Sequence, residues 1–286
     1  MNASPVSRLA ARYPQLLLAI EEHAKDTPEY KDAVLRGKPV FGEPEFLGSP
    51  EDELITADTP VGRVDVLTLG NRADFEHALR ALAYRCEPVE IPASVGASTI
   101  RGLINWQKIR EHRESFLAAG GTDWSEEFKH FTADKKNYLD SIILLSSGFY
   151  SALPPSAAGL PEGEWREKSH VIRKYHEITH FVCRSLCPRD IEAIRDEVIA
   201  DCIGLTAAFG CYDAALAKRF LGIEEGVFRS GGRLSHYAEP ETLPEAAAAA
   251  SALIEKLASR ESGTRGQDIF DTLLALIHEY YREANV

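Results

Sequence analysis

With 286 residues, 44% hydrophobic and 27% charged, the chain has ordinary globular composition, enough for one large domain or two small ones. Its formal net charge of −12 argues against general affinity for nucleic acid or anionic membrane. With no run of about 18 apolar residues, and only Leu16–Ile20 where a signal-peptide core would lie, a cytoplasmic protein that spans no membrane is expected.

In chain order, Leu9, Tyr13, Leu16, Leu17 and Ile20 recur at helical spacing and predict a helix over 5–36. Gly37–Asp52, rich in Pro and Gly, reads as a connector. Leu54–Leu69 carries Pro60-Val61-Gly62 in its middle, and Val64, Val66 and Thr68 alternate well enough for a strand. Asn71 can cap a helix through Phe75, Leu79, Leu82 and Ala83. Pro88–Ile91 reads as a second short strand, so this part has the order strand, helix, strand and predicts a small sheet. Helices are expected over Thr99–Leu117 and Asp134–Leu145, the latter from Tyr138, Ile142 and Leu145.

Ser151–Trp165, with three prolines and two glycines, reads as a long loop. A helix over Lys168–Leu186 ends at Pro188, and Asp190 caps another that runs to about Phe209. Asp213–Leu221 is a short helix, Gly231-Gly232-Arg233 a loop, and Pro244–Ser259 and Gln267–Glu283 complete the helical half. The expected division is 1–50, 51–165 and 166–286, the last two forming one unit.

Chemistry concentrates in His176-Glu177-Ile178-Thr179-His180. Histidines four apart on a helix share one face, so two ring nitrogens can meet one ion at the ~2.0–2.1 Å that zinc needs. Glu177, one step round, can reach a metal-bound water without being a ligand, the general-base position. A catalytic zinc takes three protein ligands and keeps one position open. Glu197 is the best third candidate: a turn at Cys187-Pro188-Arg189-Asp190 can fold its helix back on the first. Asp201, one turn beyond, can accept a hydrogen bond from the free ring nitrogen of a ligand histidine.

His176-Glu177-x-x-His180 followed by Glu197-x-x-x-Asp201 resembles the zincin metallopeptidases of the gluzincin type, over about residues 170–205. The resemblance implies an α+β, mainly helical fold with a small sheet beside the active helix. It implies Zn2+ as cofactor, His176, His180 and Glu197 as ligands, Glu177 as base, Asp201 as partner of a ligand histidine, and a peptide or protein as substrate. Gluzincins also place a His, Tyr or Arg downstream to steady the oxyanion; His236, Tyr237 and Arg233 stand there. Zincins bind peptide along an edge strand, and Pro88–Ala97, with Ser94 and Gly96 permitting close approach, is the candidate edge.

Other readings remain open at this point. The five cysteines, Cys86, Cys183, Cys187, Cys202 and Cys211, are odd in number and read as free thiols. Cys187 lies eleven residues from His176, roughly 16 Å along a helix and too far for one ion. Cys183 as a fourth ligand would instead close the site into a structural or regulatory zinc module. A non-haem iron site wants two Glu-x-x-His units, and only Glu177–His180 is clear.

Overall fold

A computed structural model of the chain describes residues 4–42, 46–187, 191–260 and 268–281. The expected roles of Pro188 and Asp190 at the inter-helix turn fall outside these residues, as do Gln267 and Glu283. The fold is α+β. The chain divides into two compact units, one of residues 1–55, 65–91 and 100–144, the other of residues 56–64, 92–99 and 145–286. These are interleaved segments, a different partition from the consecutive stretches 1–50, 51–165 and 166–286.

In the first unit the expected helix over 5–36 is broken into short pieces. Helix α1 (Pro5–Ala10) starts on Ser4, whose hydroxyl accepts from the Ser7 amide at 3.1 Å. Pro14 opens a separate 3-10 turn, and Pro28 opens α2 (Pro28–Tyr30) behind a Thr27 cap. Proline lacks the amide a continuing helix needs and its ring crowds the preceding turn, so each one restarts the chain. The apolar spacing still buries Leu9, Tyr13 and Leu16.

Strands β1 (Glu53–Thr59) and β2 (Gly62–Leu69) form a hairpin about Pro60-Val61. Asn71 caps α3 (Arg72–Ala83) through the Ala73 amide, as its sequence suggests. Pro88–Ile91 is not a strand: Pro88 and Pro92 have no amide to donate into a ladder. The chain instead enters β3 (Ala97–Ile104), and Asn105 caps α4 (Trp106–Ala118) through the Lys108 amide. The expected helix from Thr99 therefore begins seven residues late, because Thr99, Ile100 and Ile104 prefer a pleated strand.

After α5 (Trp124–Ala133) comes β4 (Leu139–Ser146), where a helix was expected. Ile142, Ile143, Leu144 and Leu145 are all fully buried. A strand covered on both faces shows no alternation, and its apolar run matches helical spacing by default. The sheet order is β1-β2-β4-β3, which leaves β3 on an edge. Bonds from the Ser146 amide to Gly96 O and from the Asn105 amide to Tyr138 O make β3 and β4 antiparallel.

The second unit is mostly helical. A single turn, α6 (Pro155–Ala158), precedes α7 (Glu162–Leu186), which starts earlier than expected and absorbs the end of the predicted loop. Then follow α8 (Ala193–Phe209), α9 (Ala214–Leu221), and the two-residue strands β5 (Ile223–Glu224) and β6 (Val227–Phe228). A 3-10 turn at Arg233–His236 leads to α10 (Leu243–Arg260) and α11 (Ile269–Tyr280). Among the described residues no helix is long and apolar enough to cross a membrane.

Candidate metal centre

Helices α7 and α8 run antiparallel, with Ile172 facing Gly204, His176 facing Asp201 and His180 facing Asp196. Gly204 lets them close: a Cβ there would sit 2.7 Å from the Ile172 carbonyl oxygen. Helix α8 is buried on nearly every side from Asp196 to Leu205. Carboxylates at Asp196, Glu197 and Asp201 are therefore out of water and need partners.

Those partners are the two histidines. The Nδ1 atom of His176 lies 3.0 Å from Asp201 Oδ1, and the Nδ1 atom of His180 lies 2.7 Å from Asp196 Oδ2. In the neutral form of each ring the carboxylate places the proton on Nδ1 and leaves Nε2 a lone pair. The two Nε2 atoms stand 3.0 Å apart, with Glu197 oxygens 3.5 Å from that of His176 and 3.3 Å from that of His180. Glu197 Oε2 is buried and receives no hydrogen bond. Three electron-rich groups thus converge, with ligand atoms within 4.8 Å of one another. With both rings neutral the facing lone pairs repel in a low dielectric, and either protons or a metal cation relieves them. Two imidazoles and one carboxylate are also the donor set of a catalytic zinc, so the residues present fit the metal.

Behind the histidines the network continues. The Tyr150 hydroxyl donates to Asp201 Oδ1 at 2.6 Å and lies 2.8 Å from His176 Nδ1. Its ring is pinned edge-on against Phe220 of α9, 4.8 Å between centroids. Tyr281 donates to Asp196 Oδ1 at 2.8 Å, so each of the two histidines is backed by a carboxylate and then a phenol. Arg233 binds Asp201 through Nη2 and Tyr150 through Nη1, and lies 3.8 Å from Glu197 Oε2. Gly222 and Gly232 press together and hold this loop against the end of α9; a Cβ on Gly232 would lie 2.3 Å from the Gly222 Cα.

Glu177 sits on the cleft side of α7, beside the edge strand. Thr99 of β3 reaches it through a hydroxyl 2.8 Å from Oε2 and 3.1 Å from the Glu177 carbonyl oxygen. A cavity of about 230 Å³ opens over the cluster, lined by residues 94–99, Tyr150, Arg173, Arg184, Glu177 and the three candidate ligands, with Arg233, His236 and Tyr237. His236 is exposed, and Tyr237 is half-buried with its phenol held protonated mainly by burial and further by Glu197, against the pull of Arg233. Arg233, by contrast, spends its hydrogen bonds on Asp201 and Tyr150. The edge strand is Ala97–Ile104, not Pro88–Ala97; Ser94 and Gly96 line the cavity from the loop before it. Gly96 faces the Arg173 guanidinium, where a Cβ would lie 3.0 Å from Nε.

Cys183 is not among the clustered ligands, and burial pushes its thiol up to about 12. Asp196, Thr99 and Tyr281 carry parts of the site that sequence reasoning assigned to none of them. Asp196 had a signal, a second carboxylate immediately before Glu197; Thr99 and Tyr281 had none, because they meet the helices only through folding.

Charge sets a pH response. Burial disfavours His180 carrying a proton, but Glu197 and Asp196 outweigh it and raise its pKa well above the usual value; His176 is raised likewise, burial being outweighed by Asp201 and Glu197. The stability these pairs lend the metal-free protein is complete below the ordinary histidine pKa of ~6.5 and is lost as pH rises through the raised values. Burial would raise the Glu197 pKa, but the two histidines hold it well below the usual range, so its share is lost only in acid. Zinc competes with the histidine protons. The rise in Tm on adding zinc should therefore be larger at pH 8 than at pH 6, measured by differential scanning fluorimetry; equal shifts would show that these histidines are not the ligands.

No curated protein and no solved structure matches the chain. A family profile covers residues 1–265, and the chain accordingly belongs to that family of unknown function, DUF7005.

Proposed function

We propose that this protein is a zinc-dependent hydrolase, a metallopeptidase of the gluzincin kind, acting on a peptide or protein. The observation that carries the reading is the convergence of His176 Nε2, His180 Nε2 and the undonated Glu197 Oε2 on one point beneath a cleft that also holds Glu177. When bound, zinc supplies an activated water and polarises the scissile carbonyl.

The chain's own residues do the rest. Asp201 and Asp196 hold the two imidazoles through Nδ1, so that each Nε2 would be free to hold the metal. Glu177, positioned by Thr99, takes the proton of the attacking water and returns it to the leaving amine. Tyr237 and His236 face the cleft as donors for the developing oxyanion, and Arg233 holds Asp201 in place. The edge strand β3 offers backbone groups to an extended substrate. Among the described residues no cysteine forms a disulfide, which supports a reducing, cytoplasmic setting.

Metal analysis tests the reading. Protein purified without added metal should carry about one zinc per chain, and His176→Ala should lose it. Zinc far below one per chain that does not fall further in His176→Ala would sink the proposal. One tightly held zinc with no turnover of any peptide would instead favour a zinc-binding regulatory module.

A further inference from the structure

A second cavity, of about 870 Å³, is lined entirely by residues of the first unit. That falls within the ~300–1,000 Å³ typical of small-molecule sites. Its apolar wall includes Pro14, Leu17, Ile109, Trp106, Trp124 and Phe128. Trp106 is locked in place: its indole donates to Val34 O at 2.9 Å, and its ring packs on Gly37, where φ is +63° and a Cβ would lie 2.2 Å from the ring. Helix α5 turns Trp124 and Phe128 to one side, their centroids 5.7 Å apart.

The charge of this lining is one-sided. Among the described residues it contains four cations, Arg36, Lys38, Arg110 and Arg113, and no aspartate or glutamate. This occurs in a chain with 44 acidic and 32 basic residues. Asp32, outside the lining, pairs with both Arg36 and Lys38. Arg110 donates only to the Ala11 carbonyl, and the Arg113 guanidinium sits over the Trp124 ring at 5.9 Å. Among the described residues neither has an ion-pair partner. An apolar cleft with two uncompensated guanidinium groups complements a ligand with an apolar body and one anionic head.

We propose that this cleft binds a fatty carboxylate, its chain against the Trp106–Trp124–Phe128 wall and its head between Arg110 and Arg113. The site is independent of the zinc reading. Two of the three tryptophans line the cleft, so intrinsic fluorescence reports on it directly. The full-length protein is titrated with decanoate below its micelle-forming concentration, with acetate and 1-decanol as controls. Decanoate should give a saturable change, acetate none, and decanol an at least ten-fold weaker one. Arg110→Glu with Arg113→Glu should weaken decanoate at least ten-fold, and Ala11→Phe, filling the cleft from an exposed lining position, should abolish the response. Absence of a saturable change overturns the proposal, as does decanol binding as well as decanoate with charge reversal having no effect. If the doubly reversed variant fails to fold by near-ultraviolet circular dichroism, Ala11→Phe decides: a surviving response overturns the site.

Discussion

Replacing Glu177 by glutamine should leave zinc at one per chain and reduce peptide turnover by roughly 10²–10⁴-fold, the usual loss on removing a general base. The substitution is close to isosteric. The glutamine carbonyl oxygen can accept the Thr99 hydroxyl, which lies 2.8 Å from Glu177 Oε2, so the wall of the cleft should keep its shape. Glu177 is not one of the three clustered ligands, so metal content should not move. What disappears is an acceptor able to hold a full proton. Turnover of a quenched-fluorescent peptide library by zinc-loaded protein, with metal content measured on the same samples, separates the possibilities. Unchanged turnover in Glu177→Gln would remove Glu177 from the reaction even if zinc is present.

Asp201→Ala should be the most damaging single change to the scaffold. Asp201 is 1% exposed and accepts from Arg233, from the Tyr150 hydroxyl at 2.6 Å and from His176 Nδ1 at 3.0 Å. Its removal leaves the Arg233 guanidinium buried without its main counter-charge, and breaking such a pair costs about 3–5 kcal/mol. It also frees the His176 ring to rotate, and loss of an orienting carboxylate weakens metal binding by about 10–100-fold. The two effects separate in a second variant. Asp201→Ala with Arg233→Met removes the orphaned charge, so denaturant unfolding should recover much of the stability while zinc affinity stays low. A single Asp201→Ala variant that unfolds at the wild-type denaturant concentration would show that the network does not hold the helices.

How much of this was legible follows from what each feature depends on. The histidines, Glu177, Glu197 and Asp201 were readable because helical spacing is a local property: four residues make one turn wherever the helix sits. The cap at Asn71 was readable for the same reason, since a side chain two residues away does the work. The failures lie where neighbours along the chain do not decide. Residues 142–145 look helical by apolar spacing and are a fully covered strand, because the sheet buries both of their faces. The region 5–36 follows its apolar pattern into the core but not its predicted helix, because Pro14 and Pro28 restart the backbone.

The sequence alone determined the pair of helices that carry the His-His-Glu cluster and the residue types that converge between them, since both rest on short-range geometry and on the need of buried carboxylates for partners. Tertiary structure decided which groups stand behind them. Thr99, Tyr150, Tyr281 and Arg233 reach the centre from a strand, two loops and the end of a terminal helix, 26 to 105 residues from His176 in the chain. No periodicity relates them. They meet because Gly204 lets α8 close on α7, because the paired glycines hold the Arg233 loop, and because β3 carries Thr99 to Glu177.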